Sequence, residues 1–152
     1  MKNDSRFLLL VCGSRDVRDY NEMYRILDHL LQNKLPSEVK IINGAQKSHD
    51  KHLNVNYGAD YFATEYAKLR GIEYEEFPAP WEGLPETPKK SLVSGPYGKY
   101  WPGAGAYRNK LMLDENPDAC VGFPSTRSPS KGTKMMLKLA KDAGVNTRVY
   151  YI

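Results

Sequence analysis

Cysteine is almost absent from this chain, with Cys12 and Cys120 the only two in 152 residues. Both sit inside apolar runs, so they read as small buried hydrophobes of a reducing compartment and not as a disulfide framework. No C-x-x-C, H-E-x-x-H or G-x-S-x-G pattern occurs, which leaves out redox dithiols, zinc proteases and nucleophile-elbow hydrolases. Long apolar runs are missing too. The longest is Phe7–Cys12, against the roughly 20 residues that a membrane-spanning helix needs. The stretch from Met1 to Asp16 is too short in its apolar part and too polar at its flank for a signal peptide. The expectation is a cytoplasmic protein with no membrane partner. Histidine is scarce as well. His49-Asp50-Lys51-His52 holds two of the three, but Lys51 intervenes and no further ligand set has suitable spacing, so no metal is expected.

What is present is ordinary globular composition, 41% hydrophobic and 26% charged. It excludes disorder, collagen and coiled coil, and the length fits one domain. The net charge of +4 is unevenly spread: residues 1–85 carry 11 basic and 13 acidic side chains, residues 86–152 carry 11 and 5. A basic second half suits an anionic ligand such as a phosphate, or a solvated lysine-rich helix face.

Hydrophobic periodicity gives the elements. Phe7–Gly13 is a continuous apolar run ended by Gly, as in a strand buried on both faces. Asp19 and Glu22 have capping-box spacing ahead of Met23, Ile26, Leu27, Leu30 and Leu31, the stripe of an amphipathic helix. Val39–Ile42 is a second strand, ending in Asn43-Gly44. Asp60 is placed to cap a helix through Arg70, stopped by Gly71. Ile72–Phe77 is a third strand. Residues 78–103, rich in Pro and Gly, read as irregular throughout. A helix over 104–114 and a strand at Ala119–Phe123 follow. The next helix is Lys131–Ala143, with Met135, Met136, Leu139, Ala140 and Ala143 on one face and Gly144 as its stop. Arg148–Ile152 is the closing strand. This alternation predicts an α/β, Rossmann-like, doubly wound parallel sheet of five strands in the order 3-2-1-4-5, with helices on both faces. Two segments read as insertions, near 46–57 and 82–96.

Such a sheet binds its ligand beyond the carboxyl ends of the strands, where the order reverses, here between strands one and four. Three segments there carry chemistry. Gly13-Ser14-Arg15 offers a tight turn, a hydroxyl and a planar guanidinium fork. Pro124 to Thr133 places Ser130, Lys131, Gly132 and Thr133 at a helix start, a ready anion site, or simply a helix capped by Ser130. Gly103-Ala104-Gly105 opens the third helix. It has half of a G-x-G-x-x-G fingerprint, but Arg108 replaces the last Gly and no strand directly precedes it, so no dinucleotide cofactor is expected. The Walker A order is absent as well. Arg108 in a first helical turn would oppose the helix dipole, and an anionic ligand or acidic partner would explain it. Tyr97, Tyr100, Trp101 and Tyr107 could stack a base or fill the underside of a long loop.

Taken together, the chain resembles the SLOG superfamily, which groups Lonely-guy and DprA/SMF proteins, and within it the YspA-like branch of bacteria and phages. The matching residues are Gly13-Ser14-Arg15, Asn43-Gly44-Ala45, Gly58-Ala59-Asp60 with Ala63 and Ala67, and Phe77-Pro78-Ala79-Pro80-Trp81. Tyr97-Gly98-Lys99, Arg108-Asn109 with Met112, Asp118-Ala119, Phe123-Pro124 and Gly132-Thr133 complete the set. The resemblance covers nearly the whole chain. It implies a nucleotide or nucleotide-derived ligand held by Gly13, Ser14, Arg15, Asn43, Gly44, Asp60, Trp81, Arg108, Asn109, Ser130, Lys131, Gly132 and Thr133. It also implies a homodimer. The sequence departs from the family at both insertions and at the stretched, glycine-poor 124–133 loop. It departs again at Met136, which stands where Lonely-guy phosphoribohydrolases carry their catalytic Glu.

Three functions follow as expectations. The first is a sensor or binding protein for a nucleotide-like small molecule. The second is a nucleoside 5′-monophosphate phosphoribohydrolase, an N-glycosidase in which Asp60 or Glu65, or else Asp16, takes the place of the missing Glu. The third, ranked last, is single-stranded DNA binding of the DprA kind. It would need the basic half to act as an extended strip with stacking aromatics, and those are confined to one loop.

Overall fold

A computed structural model describes residues 5–152; residues 1–4, part of the stretch read above for a leader, lie outside the described residues. The first strand, β1 (Phe7–Gly13), fixes the plan of the molecule. Its side chains alternate between two faces. Leu9 and Val11 point into one apolar cluster, and Leu8, Leu10 and Cys12 into a second cluster on the opposite side. A strand buried on both faces needs a helical layer on each.

The remaining elements supply those layers. They are α1 (Tyr20–Leu30), β2 (Val39–Asn43), β3 (Ser48–Asp50), β4 (Val55–Tyr57), α2 (Ala59–Arg70) and β5 (Glu73–Glu76). After them come β6 (Val93–Gly95), β7 (Gly98–Tyr100), α3 (Ala104–Leu113), β8 (Ala119–Phe123), α4 (Lys131–Asp142) and β9 (Asn146–Val149). Helix α1 contributes Met23, Ile26 and Leu27 to the first cluster, and α2 adds Phe62, Ala63, Tyr66 and Ala67. Each fully buried Met or Leu there stabilises the fold by roughly 1.5–3 kcal/mol. Met112 of α3, with Met136 and Ala140 of α4, builds the second cluster. No helix among the described residues is long and apolar enough to cross a membrane.

The main sheet is five-stranded and parallel, in the order β5-β2-β1-β8-β9. Within this sheet these are, along the chain, the third, second, first, fourth and fifth strands. The expected numbering 3-2-1-4-5 counted five strands in all. Both insertions fold into antiparallel hairpins, β3–β4 and β6–β7, so the numbering over the whole chain differs. The segment 78–103 is therefore not irregular throughout. The direction of winding reverses between β1 and β8, where the connections leaving these two neighbouring strands run to opposite sides, towards β2 and towards β9.

Other expectations shift for identifiable reasons. Asp19 caps α1 by accepting from the Glu22 N–H, but the Glu22 carboxylate turns to Arg25 instead of closing a capping box. Asp60 does not cap α2. Gly58 holds that position, and Asp60 is the second helical residue. On α4 the buried face is Thr133, Met136 and Ala140, while Met135 and Ala143 are exposed. The closing strand begins two residues early because Val145 folds straight back from the helix stop at Gly144, its N–H reaching the Ala140 carbonyl. As an edge strand, β9 buries little, so hydrophobicity does not mark it. The apolar residues after it pack by other means, Tyr150 stacking on Phe123 at 6.1 Å between ring centres.

Candidate functional site

A cavity of about 400 Å³ opens beyond the carboxyl ends of β1, β2 and β8. Its floor is the end of β1, Cys12 and Gly13, and its walls are the loops after β1, β2 and β8 together with one face of α3 and the start of α4. Gly13 is required here by space. A Cβ on it would lie 2.4 Å from the Ala59 Cβ, which packs the start of α2 tightly against the strand end.

The loops after β1 and β8 are tied together by Asp16. Its Oδ1 accepts from the Ser14 hydroxyl at 2.7 Å and its Oδ2 from the Ser125 hydroxyl at 2.6 Å. The Ser125 oxygen in turn accepts from the backbone N–H groups of Arg127 and Ser128. The donated bonds, that from Ser125 first, hold the Asp16 carboxyl below the ordinary range. Both oxygens are thereby used, and Asp16 does not line the cavity.

At the start of α4, Ser130 is in the left-handed region at φ +51° and its side chain does not cap the helix. Its hydroxyl instead accepts the Ser125 N–H at 2.6 Å. The first helical N–H groups, those of Lys131, Gly132 and Thr133, have no intrahelical partner by the geometry of any α-helix. All three residues line the cavity. The positive end of the helix dipole thus faces the space without a protein cap. Arg15 is on the rim, its Nε donating to Gln46 Oε1 at 3.1 Å.

Arg108 is the buried cation of the site, 7% exposed. It is the fifth residue of α3, beyond the first turn expected from the sequence, so its charge does not oppose the helix dipole there. Its Nη1 donates to the Gly44 carbonyl at 2.6 Å and more weakly to the Phe77 carbonyl at 3.4 Å, and its Nε to Asn109 Oδ1 at 3.0 Å. The guanidinium therefore clamps α3 to the loop after β2. Burial lowers its pKa, partly offset by Asp60. Asp60 is 6% exposed and accepts from the Gln46 N–H at 3.2 Å. Burial pushes its carboxyl up to about 6, against the downward pull of Arg108. Cys12 is also in the wall. A hydrogen bond with Cys120 and burial push its thiol well up, which disfavours the thiolate.

Of the residues expected at the site, Gly13, Ser14, Arg15, Gly44, Asp60, Trp81, Arg108, Asn109, Ser130, Lys131, Gly132 and Thr133 all border this one cavity. Asn43 does not. It is fully buried, its Nδ2 donating to Thr64 Oγ1 and its Oδ1 accepting the Ala45 N–H, and so it shapes the loop from below. Glu65 is not in the wall either, and its neighbours are Tyr24 and Tyr61 on α1 and α2. No family model matches the chain, and no curated protein matches it at a significant level. Among the described residues no cluster of three or more His, Cys, Asp or Glu could hold a metal ion.

Gln46, Gly105, Ala106 and the methionines Met112 and Met135 also line the cavity and were not read from the sequence as site residues. Gln46 carries no motif signal. Gly105 belongs to the Gly103-Ala104-Gly105 start of α3, whose small residues leave room in front of the helix. Met136, where the resemblance requires a carboxylate, is 1% exposed and forms part of the apolar wall.

Proposed function

We propose that this chain binds a nucleotide or nucleotide-derived anion in the cavity at the carboxyl ends of β1 and β8, as a sensor or ligand-binding protein. One observation carries this: the uncapped start of α4 and the buried Arg108 meet in a single cavity lined by Arg15 and Lys131 as well. A phosphate would sit on the N–H groups of Lys131, Gly132 and Thr133. Trp81, at the mouth and edge-on to Tyr100, is available to cover a base. The likeness of the sequence to the SLOG superfamily supports a nucleotide over other anions.

The test is ultrafiltration of the protein with a mixture of nucleotides, dinucleotides and cyclic nucleotides, followed by mass spectrometry of both fractions. Retention of an intact compound is expected, and it should weaken at least tenfold in the double variant Arg15→Glu with Lys131→Glu. Equal retention by that variant, or none by the wild type, would overturn the proposal.

A second reading draws support from Asp60, a carboxyl in the cavity with a pKa of about 6. A group so poised can exchange protons near neutrality, as an N-glycosidase needs. Release of free base from nucleoside 5′-monophosphates, abolished in Asp60→Asn, would favour hydrolysis over binding alone. No comparable observation favours single-stranded DNA. In the 81–107 region Trp81 pairs with Tyr100 and Trp101 with Tyr107, and the exposed ring of Tyr97 alone makes no row of stacking faces.

A further inference from the structure

Sulfur is concentrated in one part of the molecule. The apolar cluster between the sheet and the α3–α4 layer contains eight buried residues, and four of them carry sulfur: Cys12, Met112, Cys120 and Met136. The two thiols hydrogen-bond to each other. Cys12 also lines the floor of the cavity, so the pair is reached from outside through that space.

The register of the sheet decides what the two thiols can hold. Cys12 of β1 is opposite Gly122 of β8, and Cys120 of β8 is opposite Leu10 of β1. The cysteines are therefore offset by two strand positions and point to the same face. With a rise of about 3.3 Å per residue and about 4.8 Å between strands, that offset puts their Cα atoms about 8 Å apart. A disulfide usually has its Cα atoms about 4.4–6.8 Å apart, so closing one here requires the two central strands to shift. A metal ion bridges a wider gap. Two metal–sulfur bonds of about 2.3 Å each let the sulfur atoms stay as much as about 4.6 Å apart.

The surroundings select the metal. Zinc takes four ligands, and among the described residues no third His, Cys, Asp or Glu joins the pair. Copper(I) is soft, is selected by thiolate and thioether sulfur, and is satisfied by two thiolates alone. The apolar cluster keeps hard oxygen ligands away from it. The ion also supplies the positive charge that buried thiolates otherwise lack. A copper(I) ion with two thiolates carries one net negative charge, which Arg108 offsets against the opposing pull of Asp60.

We propose that Cys12 and Cys120 form a two-thiolate site for copper(I) beneath the floor of the cavity, with Met112 and Met136 packed in the same cluster. On binding, two S–H bonds break, two sulfur–copper bonds form and two protons pass to the buffer, with no change in oxidation state. The site stands apart from the anion-binding proposal, since it uses none of the residues assigned to the phosphate.

The experiment is anaerobic titration of the reduced protein with tetrakis(acetonitrile)copper(I) in competition with bicinchoninate, followed by copper X-ray absorption of the loaded protein. Wild type is expected to take up one copper per chain, with sulfur alone in its first coordination shell. Cys12→Ser and Cys120→Ser are each expected to weaken copper binding at least tenfold. A first shell of nitrogen or oxygen would place the ion elsewhere, as on the exposed His49 and His52, and overturn the proposal. No uptake by wild type, or equal affinity in both serine variants, would overturn it as well. The wild-type spectrum decides the matter even where a variant does not fold.

Discussion

Asp60 is the second residue of α2, with its carboxyl turned into the cavity and its pKa raised by burial to about 6, above the roughly 3.9 of an exposed aspartate. A folded-state pKa above the unfolded one means that the protonated form favours folding. That stability is fully present below about pH 4 and is lost as pH rises through about 6. Asp60→Asn, which keeps an acceptor for the Gln46 N–H, is therefore expected to melt above wild type at pH 7.5, with the gap closing towards pH 4. A variant melting below wild type at pH 7.5 would show that the attraction of Arg108 outweighs burial. Arg108 behaves in the opposite way on removal. Arg108→Ala leaves the buried Gly44 carbonyl without its donor, and a hydrogen bond from a charged group is worth about 1.5–3 kcal/mol. A drop of that size in the urea unfolding free energy is expected. Loss of ligand binding in that variant thus mixes two effects, which is why Arg15 and Lys131 on the rim are the cleaner probes. Neither effect was legible in the sequence. Arg108 stood out there as an unexplained cation, and the acceptors that explain it lie 64 and 31 residues away.

At the scale of the elements, the site depends on two loops held in register by one side chain. Asp16 joins the turn after β1 to the loop before α4 through Ser14 and Ser125. Asp16→Ala is expected to cost about 1–3 kcal/mol. It is also expected to speed amide hydrogen exchange over residues 125–133, and to weaken phosphate binding even though Asp16 is not in the cavity wall. Unchanged exchange there would mean the loop keeps its shape without the brace. The sequence marked this loop by composition alone, because a bond spanning 109 positions leaves no local pattern. The second insertion is likewise anchored from the side of the site. The Trp101 N–H donates to the Trp81 carbonyl at 2.7 Å, and the Trp81 ring meets Tyr100. Trp81→Ala is expected to leave the melting temperature within about 2 °C, since the ring is 38% exposed, while weakening a nucleotide more than inorganic phosphate. Equal weakening of both would place the ring outside the base-binding role.

For the whole molecule, the parallel sheet decides where everything meets. Strand β1 is central and buried on both faces, so the helices divide, α1 and α2 to one side and α3 and α4 to the other. Where the winding reverses, between β1 and β8, adjacent loops part and leave a crevice. The acidic first half of the chain contributes Asp60 to that crevice, and the basic second half contributes Arg108 and Lys131. The two halves meet across Gly44, which puts a buried carboxylate beside a buried guanidinium.

The sequence by itself determined four of the five strands of the parallel sheet, its four helices and the end of it at which a cavity opens, but neither of the two hairpins nor the start of the edge strand β9. Those follow from short-range patterns: apolar runs for buried strands, the i, i+3, i+4 stripe of α1, and glycines that stop α2 and α4. Such patterns are written within a few residues of one another, and burial on one or both faces is their direct cause. Only the tertiary structure decided what the site residues do. Asn43 and Asp16 serve as loop supports, Ser130 leaves its helix uncapped, and Asp60 turns inward instead of capping α2. Each of those roles depends on a partner far along the chain, and a hydrogen bond or a shifted pKa exists only once folding has brought the two groups together and removed water from between them.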